Sequence, residues 1–160
     1  MSTLDTRQIR STRPIPAVDG ALAPGRLLQD RYEILGILGL GGMSAVYQAR
    51  DQRFPNVVKL CAVKEMKSHS LDPQMRAVAV QNFEREANIL ATLSHPAIPK
   101  VYDYFSEEAR SYLVMEYIEG VAADELVGKH GPLAIADACE IVRQAARGLA
   151  RTGASLKELM

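Results

Sequence analysis

Leu38-Gly39-Leu40-Gly41-Gly42-Met43-Ser44-Ala45-Val46-Tyr47 reads as a strand that enters a glycine-rich hairpin and returns as a second strand. Glycines, lacking a Cβ, let the backbone turn tightly and bring N–H groups close to an anion such as phosphate. Two familiar phosphate loops fit badly. A Walker-type loop needs Lys-Ser or Lys-Thr after its last glycine, and Met43-Ser44 stands there instead. A dinucleotide-binding turn should open a helix at Ser44, whereas Ala45-Val46-Tyr47 favours a strand. Taken alone, the loop is equally a hairpin that binds nothing.

Working outward, three extended segments surround the loop: Tyr32 to Leu38, Ala45 to Ala49, and Lys59 to Met66 after a Phe54-Pro55-Asn56 turn. On the third, period-two geometry puts Leu60, Ala62 and Lys64 on one face and Cys61, Val63 and Glu65 on the other. Lys64 thus shares an apolar surface that looks inward. A helix signal follows, with Asp72 as cap and Pro73 at the first helical position. Its apolar residues Ala79, Val80, Phe83, Ala87, Leu90 and Leu93 recur on one face, and Ser94-His95-Pro96 ends it.

Glu86 lies three residues after Phe83 and four before Leu90, which favours a place in that stripe; the alternative is that it edges out to solvent beside Glu84 and Arg85. Acids are almost never fully buried unless paired. The expected partner is Lys64. Such a pair would aim the lysine at phosphates, and if buried its rupture would cost about 3–5 kcal/mol.

Two more strands fit Ile98 to Phe105 and Tyr112 to Tyr117, joined by a charged turn from Glu107 to Arg110. The expected order is strand-strand-strand-helix-strand-strand, an α+β arrangement with one helix across an antiparallel sheet. After Gly120 the character turns helical. A short helix fits Asp124 to Lys129, Gly131-Pro132 breaks it, and a longer helix fits Leu133 to about Leu149. The stripe of the latter is Ile135, Ala138, Cys139, Val142, Ala145, Ala146 and Leu149.

Composition narrows the partners. The chain has 160 residues, with 19 basic and 19 acidic side chains giving zero formal net charge, so an electrostatic nucleic-acid binder is not indicated. The longest apolar stretch, Ile34 to Met43, is short and glycine-broken, which excludes it as a membrane span. Cys61 and Cys139 are too few for a disulfide framework or metal cluster, and no signal-peptide core precedes them. A cytoplasmic protein is expected.

The ordered series resembles the eukaryotic-like serine/threonine protein kinases of bacteria, from about Gly25 to Leu149. Tyr32-Glu33-Ile34 leads into the glycine loop, and Val46-Tyr47-Gln48-Ala49 follows it. Ala62-Val63-Lys64 is similar to the family's Val-Ala-Ile-Lys strand. Phe83-Glu84-Arg85-Glu86-Ala87-Asn88-Ile89-Leu90 resembles its regulatory helix, and His95-Pro96-Ala97-Ile98 the approach to the fourth strand. Leu113-Val114-Met115-Glu116-Tyr117-Ile118-Glu119-Gly120 resembles the fifth strand and hinge. The resemblance implies a protein-kinase-like fold with a five-stranded antiparallel sheet and ATP as ligand, with Mg expected for the complete family.

Pro14, Pro16, Gly20 and Pro24 among small polar residues without periodicity make residues 1–24 an expected flexible tail. By the resemblance, 25–118 are the ATP-binding amino-terminal lobe and 119–160 the hinge exit and first helices of an incomplete second lobe. Lys64 and Glu86 are the implied catalytic pair. Leu38, Gly39, Leu40, Gly41, Gly42, Met43 and Ser44 would form the phosphate loop. Val46 and Ala62 would contact the adenine faces, Met115 would be the gatekeeper, and the Glu116 carbonyl and Ile118 N–H would bond the adenine edge. Ser44 stands where a third glycine is common, Ala97 where Asn is frequent, and Ala123 where a larger aliphatic is usual.

The family's His-Arg-Asp and Asp-Phe-Gly tripeptides do not occur in these 160 residues; His69, His95 and His130 lie elsewhere. The expectation is therefore the ATP-binding portion of a Ser/Thr kinase, truncated and inactive in phosphoryl transfer by itself, with ATP and a protein substrate as partners. The alternative is a non-catalytic module that docks on a partner kinase through the stripe of its long helix. A dinucleotide-binding oxidoreductase, resting on the loop alone, is a distant third.

Overall fold

The computed structural model describes residues 20–41, 44–66, 73–108 and 110–158. The expected Asp72 cap, Gly42, Met43, His69 and the tail through residue 19 lie outside the described residues. The elements run β1 Leu27–Leu28, β2 Tyr32–Leu40, β3 Ser44–Asp51, β4 Leu60–Met66, α1 Pro73–Thr92, β5 Val101–Glu107, β6 Arg110–Glu116, α2 Ala123–His130 and α3 Ile135–Glu158. The sheet is antiparallel, in the order β1-β2-β3-β4-β6-β5.

Six strands replace the expected five. The extra one, β1, is only two residues, Leu27 and Leu28 opposite Glu33 and Tyr32, too short to leave a periodic signature. Left-handed Gln29 and Asp30 turn it into β2. Boundaries also move, most of all at two ends: β5 starts at Val101 rather than Ile98, and α3 runs to Glu158 rather than Leu149. Arg151 to Glu158 carry no helix breaker beyond a single glycine, so the backbone simply continues.

The sheet has two apolar faces. One is closed over itself by Tyr32, Ile34, Ile37, Tyr47, Ala49, Cys61, Val63, Tyr112 and Val114, with Leu28 of β1 sealing it. Register shifts in β2 between Ile34 and Gly36, and between Ile37 and Gly39, keep Ile37 on this face despite its odd spacing from Ile34. On the other face α1 lays Phe83 and Ala87 against Leu113, with Leu90, Tyr104 and Met115 around them. The predicted stripe of α1 is therefore the one it buries.

An ionic knot ties the β1–β2 turn to the sheet. Arg31 donates Nε and Nη2 to both oxygens of buried Asp51 at 3.0 and 2.9 Å, and Nη1 to Asp103 at 2.9 Å. Tyr32 Oη donates to the same Asp103 oxygen at 2.8 Å. The Arg31 hydrogen bonds, joined by those from Arg53, hold the Asp51 carboxyl far below the usual carboxylate range.

Candidate functional site

Lys64 and Glu86 meet. Lys64 Nζ donates to Glu86 Oε1 at 2.8 Å and lies 5.7 Å from the centre of the Phe83 ring. Strand β4 and helix α1 position the two halves, and the packing of Phe83 and Ala87 fixes the helix over the strand. The setting differs from the expectation in one respect. The pair is not buried: the side chains are 27% and 47% exposed. Phe83 and Ala87 point into the sheet, and Glu86, one residue before Ala87, sits at the rim of the stripe beside exposed Glu84 and Arg85. The sealed core lies on the opposite face of β4, behind Cys61 and Val63. An exposed pair of this kind contributes roughly 0–1 kcal/mol to stability, so the 3–5 kcal/mol of a buried pair does not apply.

The strand register sets what surrounds the lysine. Val46 lies opposite Lys64, Lys64 opposite Leu113, and Ala62 opposite Met115, so these side chains share one side of three adjacent strands. Ala62 is buried, Val46 and Met115 half-buried, which leaves a partly open apolar floor next to the ammonium. Leu38, Gly39 and Leu40 complete β2 above Val46, with Gly39 opposite Val46 and Leu40 opposite Ala45. Gly41 N–H donates to the Ser44 carbonyl at 2.8 Å and closes the hairpin. A Cβ at Gly39 would meet nothing within 4 Å, so the hairpin arm beside this floor is open.

At the far end, Glu116 N–H donates to the Lys100 carbonyl at 2.8 Å, and the Glu116 carboxylate accepts from Lys100 N–H at 3.2 Å. The chain then leaves the sheet through exposed Ile118 towards α2. The two cysteines are free; burial pushes the Cys61 thiol up to about 11, which leaves it no role as a nucleophile at neutral pH. Among the described residues no cluster of His, Cys, Asp or Glu could hold a metal, and no helix is long and apolar enough to cross a membrane.

Sequence reasoning passed over Glu65. It is the residue after Lys64, fully buried, and accepts from Tyr47 Oη at 2.5 Å and from Arg110 Nη1 at 2.6 Å. The period-two pattern already puts it with Cys61 and Val63. Its partners, however, come from β3 and β6, and only the sheet register brings them together.

An antiparallel sheet, one helix across it, and a lysine on the third long strand paired to a carboxylate of that helix define a protein-kinase-like fold. The chain belongs to the protein kinase domain family, whose model matches residues 32–152. It is 38% identical over 105 residues to serine/threonine-protein kinase B of Synechocystis, covering 65% of this chain and 18% of that protein. It is 40% identical over 127 residues to serine/threonine-protein kinase PknB of Mycobacterium tuberculosis, covering 76% and 19% respectively. The PknI kinase domain of the same organism superposes with a TM-score of 0.66 at 27% identity, over 82% of this chain and 51% of that one. The chain thus spans about a fifth of the length of these curated relatives.

Proposed function

We propose that this chain is the ATP-binding portion of a serine/threonine protein kinase. The observation that carries the reading is the 2.8 Å Lys64–Glu86 pair standing beside a half-open apolar floor of Val46, Ala62 and Met115. The residues fit a nucleotide. The floor suits a flat adenine ring, the fixed ammonium suits phosphate oxygens, and the β2 arm of the glycine hairpin, open at Gly39, adds backbone near them. Met115 then acts as gatekeeper, and the Glu116 carbonyl and Ile118 N–H meet the adenine edge. ATP, when bound, supplies the phosphoryl group that the family transfers to protein Ser or Thr.

On this reading residues 25–118 are the nucleotide lobe and 119–160 lead into the second lobe. The pair Lys64–Glu86 orients phosphates; it does not take a proton from a hydroxyl. The residues that do so in the family, and those that hold Mg, belong to motifs these 160 residues do not include. By itself the chain therefore binds ATP weakly and does not turn it over. Incubation with labelled ATP and a generic protein substrate tests this: no transfer is expected, and clear turnover refutes it. Parallel titration with NAD should give no binding.

A second reading has its own observation. Ile135, Val142 and Leu149 of α3 are 83%, 66% and 72% exposed, an apolar line seven residues apart. Exposed apolar lines of this kind recruit a covering surface. In this reading the chain is a non-catalytic module and α3 docks on a partner kinase. Retention of the Lys64–Glu86 pair favours the first reading, because a pure docking module has no use for it.

A further inference from the structure

Glu65 is a charge with no contact to the nucleotide face, yet it is entirely enclosed in the sealed half of the sheet. Its two oxygens are taken by different strands: Tyr47 Oη of β3 donates at 2.5 Å and Arg110 Nη1 of β6 at 2.6 Å. Tyr47, itself fully buried, accepts in turn from Leu22 N–H at 3.1 Å, so the segment before β1 joins the same network. Burial, and then the Glu65 hydrogen bond, raise the Tyr47 hydroxyl well above its ordinary range, which keeps it a donor. Nearby, burial and the Glu65 charge push Tyr112 up to about 12.

Burying a carboxylate costs several kcal/mol before its partners compensate, and apolar residues of the same volume often serve stability as well or better. The arrangement needs another explanation. Strand β4 supplies one. Cys61 and Val63 on one face and Leu60 and Ala62 on the other are similarly apolar, so hydrophobic patterning by itself discriminates poorly between the two faces. In a strand, a slip of one residue exchanges the faces completely. Such a slip would turn Lys64 into the sealed core and away from Glu86.

We propose that Glu65, held by Tyr47 and Arg110, is a positioning residue that pins the register of β4 and so keeps Lys64 on the nucleotide face. This rests on the ATP-site reading above for its functional consequence, but not for its structural one. The carboxylate finds two donors only when Val63 lies opposite Tyr47 and Lys64 opposite Leu113, the register observed. A slip of one residue moves the carboxylate to the opposite face, away from both donors, and puts Lys64 in its place.

The test uses the full chain and two variants. The double substitution Glu65→Met with Tyr47→Phe removes the carboxylate together with the hydroxyl it would orphan; Arg110 is 43% exposed and can turn to water. Glu65→Gln keeps shape and an acceptor, and guards against failure of the first to fold. Three quantities are read: urea midpoint, amide exchange across residues 60–66, and the rate at which an amine-reactive acylating reagent modifies Lys64 without nucleotide. Affinity for trinitrophenyl-ATP is a fourth.

In the double variant the urea midpoint should stay close to that of the parent. Exchange across β4 and the Lys64 modification rate should change at least tenfold, and nucleotide affinity should fall at least tenfold. Glu65→Gln should lie between, within about threefold of the parent. Unchanged β4 exchange and Lys64 modification in the folded double variant would overturn the proposal. So would changes in both variants that merely track the unfolded fraction. If the parent chain fails to bind the nucleotide probe, the ATP reading falls, while exchange and Lys64 modification still decide the role of Glu65.

Discussion

Asp51 is the residue on which pH acts most directly. Its carboxyl is almost fully buried, and its folded-state affinity for protons is depressed by Arg31 hydrogen bonds at 2.9 and 3.0 Å. A depressed carboxylate contributes stability that is fully present above its unfolded value, near 4, and is lost as pH falls below that toward the folded value. Urea midpoints taken from pH 6 down to pH 2 should therefore drop below about pH 4. Asp51→Asn should lower the midpoint at pH 6, by up to about 3 kcal/mol because Arg31 loses one of its two carboxylate partners and keeps Asp103, and should flatten the acid limb. Equal acid limbs in parent and variant would assign the acid sensitivity elsewhere. Lys64 and Glu86 were legible in the sequence as a pair because each stood out against an apolar face-mate set. Their exposure corresponds to the alternative reading of Glu86 rather than the favoured one, since the same spacing suits a residue in the stripe or at its rim. Glu65 was legible only as a face-mate of Cys61 and Val63, because its donors sit 18 and 45 residues away.

Among the elements, α1 depends on one aromatic. Phe83 is buried against Leu113 and Ala87, with the Tyr104 ring 5.9 Å away. Phe83→Ala should cost about 3–5 kcal/mol and loosen the helix that carries Glu86, which amide exchange over residues 73–92 would detect. Helix α3 makes a contrasting case. Gly148 is its one buried described residue, and an added Cβ would meet Ile98 Cγ1 at 3.5 Å and Ala97 Cβ at 3.8 Å, ordinary contact distances. Gly148→Ala should thus fit and gain up to about 1 kcal/mol from helix propensity, while Gly148→Leu should lose 1–3 kcal/mol, roughly, by overpacking the 97–98 turn. Thermal midpoints decide the signs. Helix-period stripes revealed α1 and α3, and extended segments between turn signals revealed the five long strands, with period-two geometry resolving the faces of β4. Strand β1 escaped because two residues have no period, and it exists through pairing with Glu33 and Tyr32 rather than through propensity.

For the molecule as a whole, the chain order of the five long strands and α1 followed from the sequence because each local signal agreed with its neighbours, whereas the pairing of β4 with β6 did not. The position of α3 against α1 did not, since its apolar line faces outward and gives no partner to pack on. Val142→Lys with Leu149→Lys should leave the urea midpoint within about 0.5 kcal/mol, as expected for surface changes, and should reduce concentration-dependent association in sedimentation velocity. A large loss of stability would mean that this line is already covered. With a charge balance of 19 against 19, the proposed nucleotide binding would rest on local geometry at Lys64 rather than on the overall field. The most direct check is an equilibrium titration with trinitrophenyl-ATP of the parent and of Lys64→Met, with urea midpoints measured alongside. Saturable binding displaced by ATP, at least tenfold weaker in Lys64→Met at a midpoint unchanged within about 1 kcal/mol, is the predicted result for an exposed pair. Identical binding by the two proteins, or none by the parent, would contradict it.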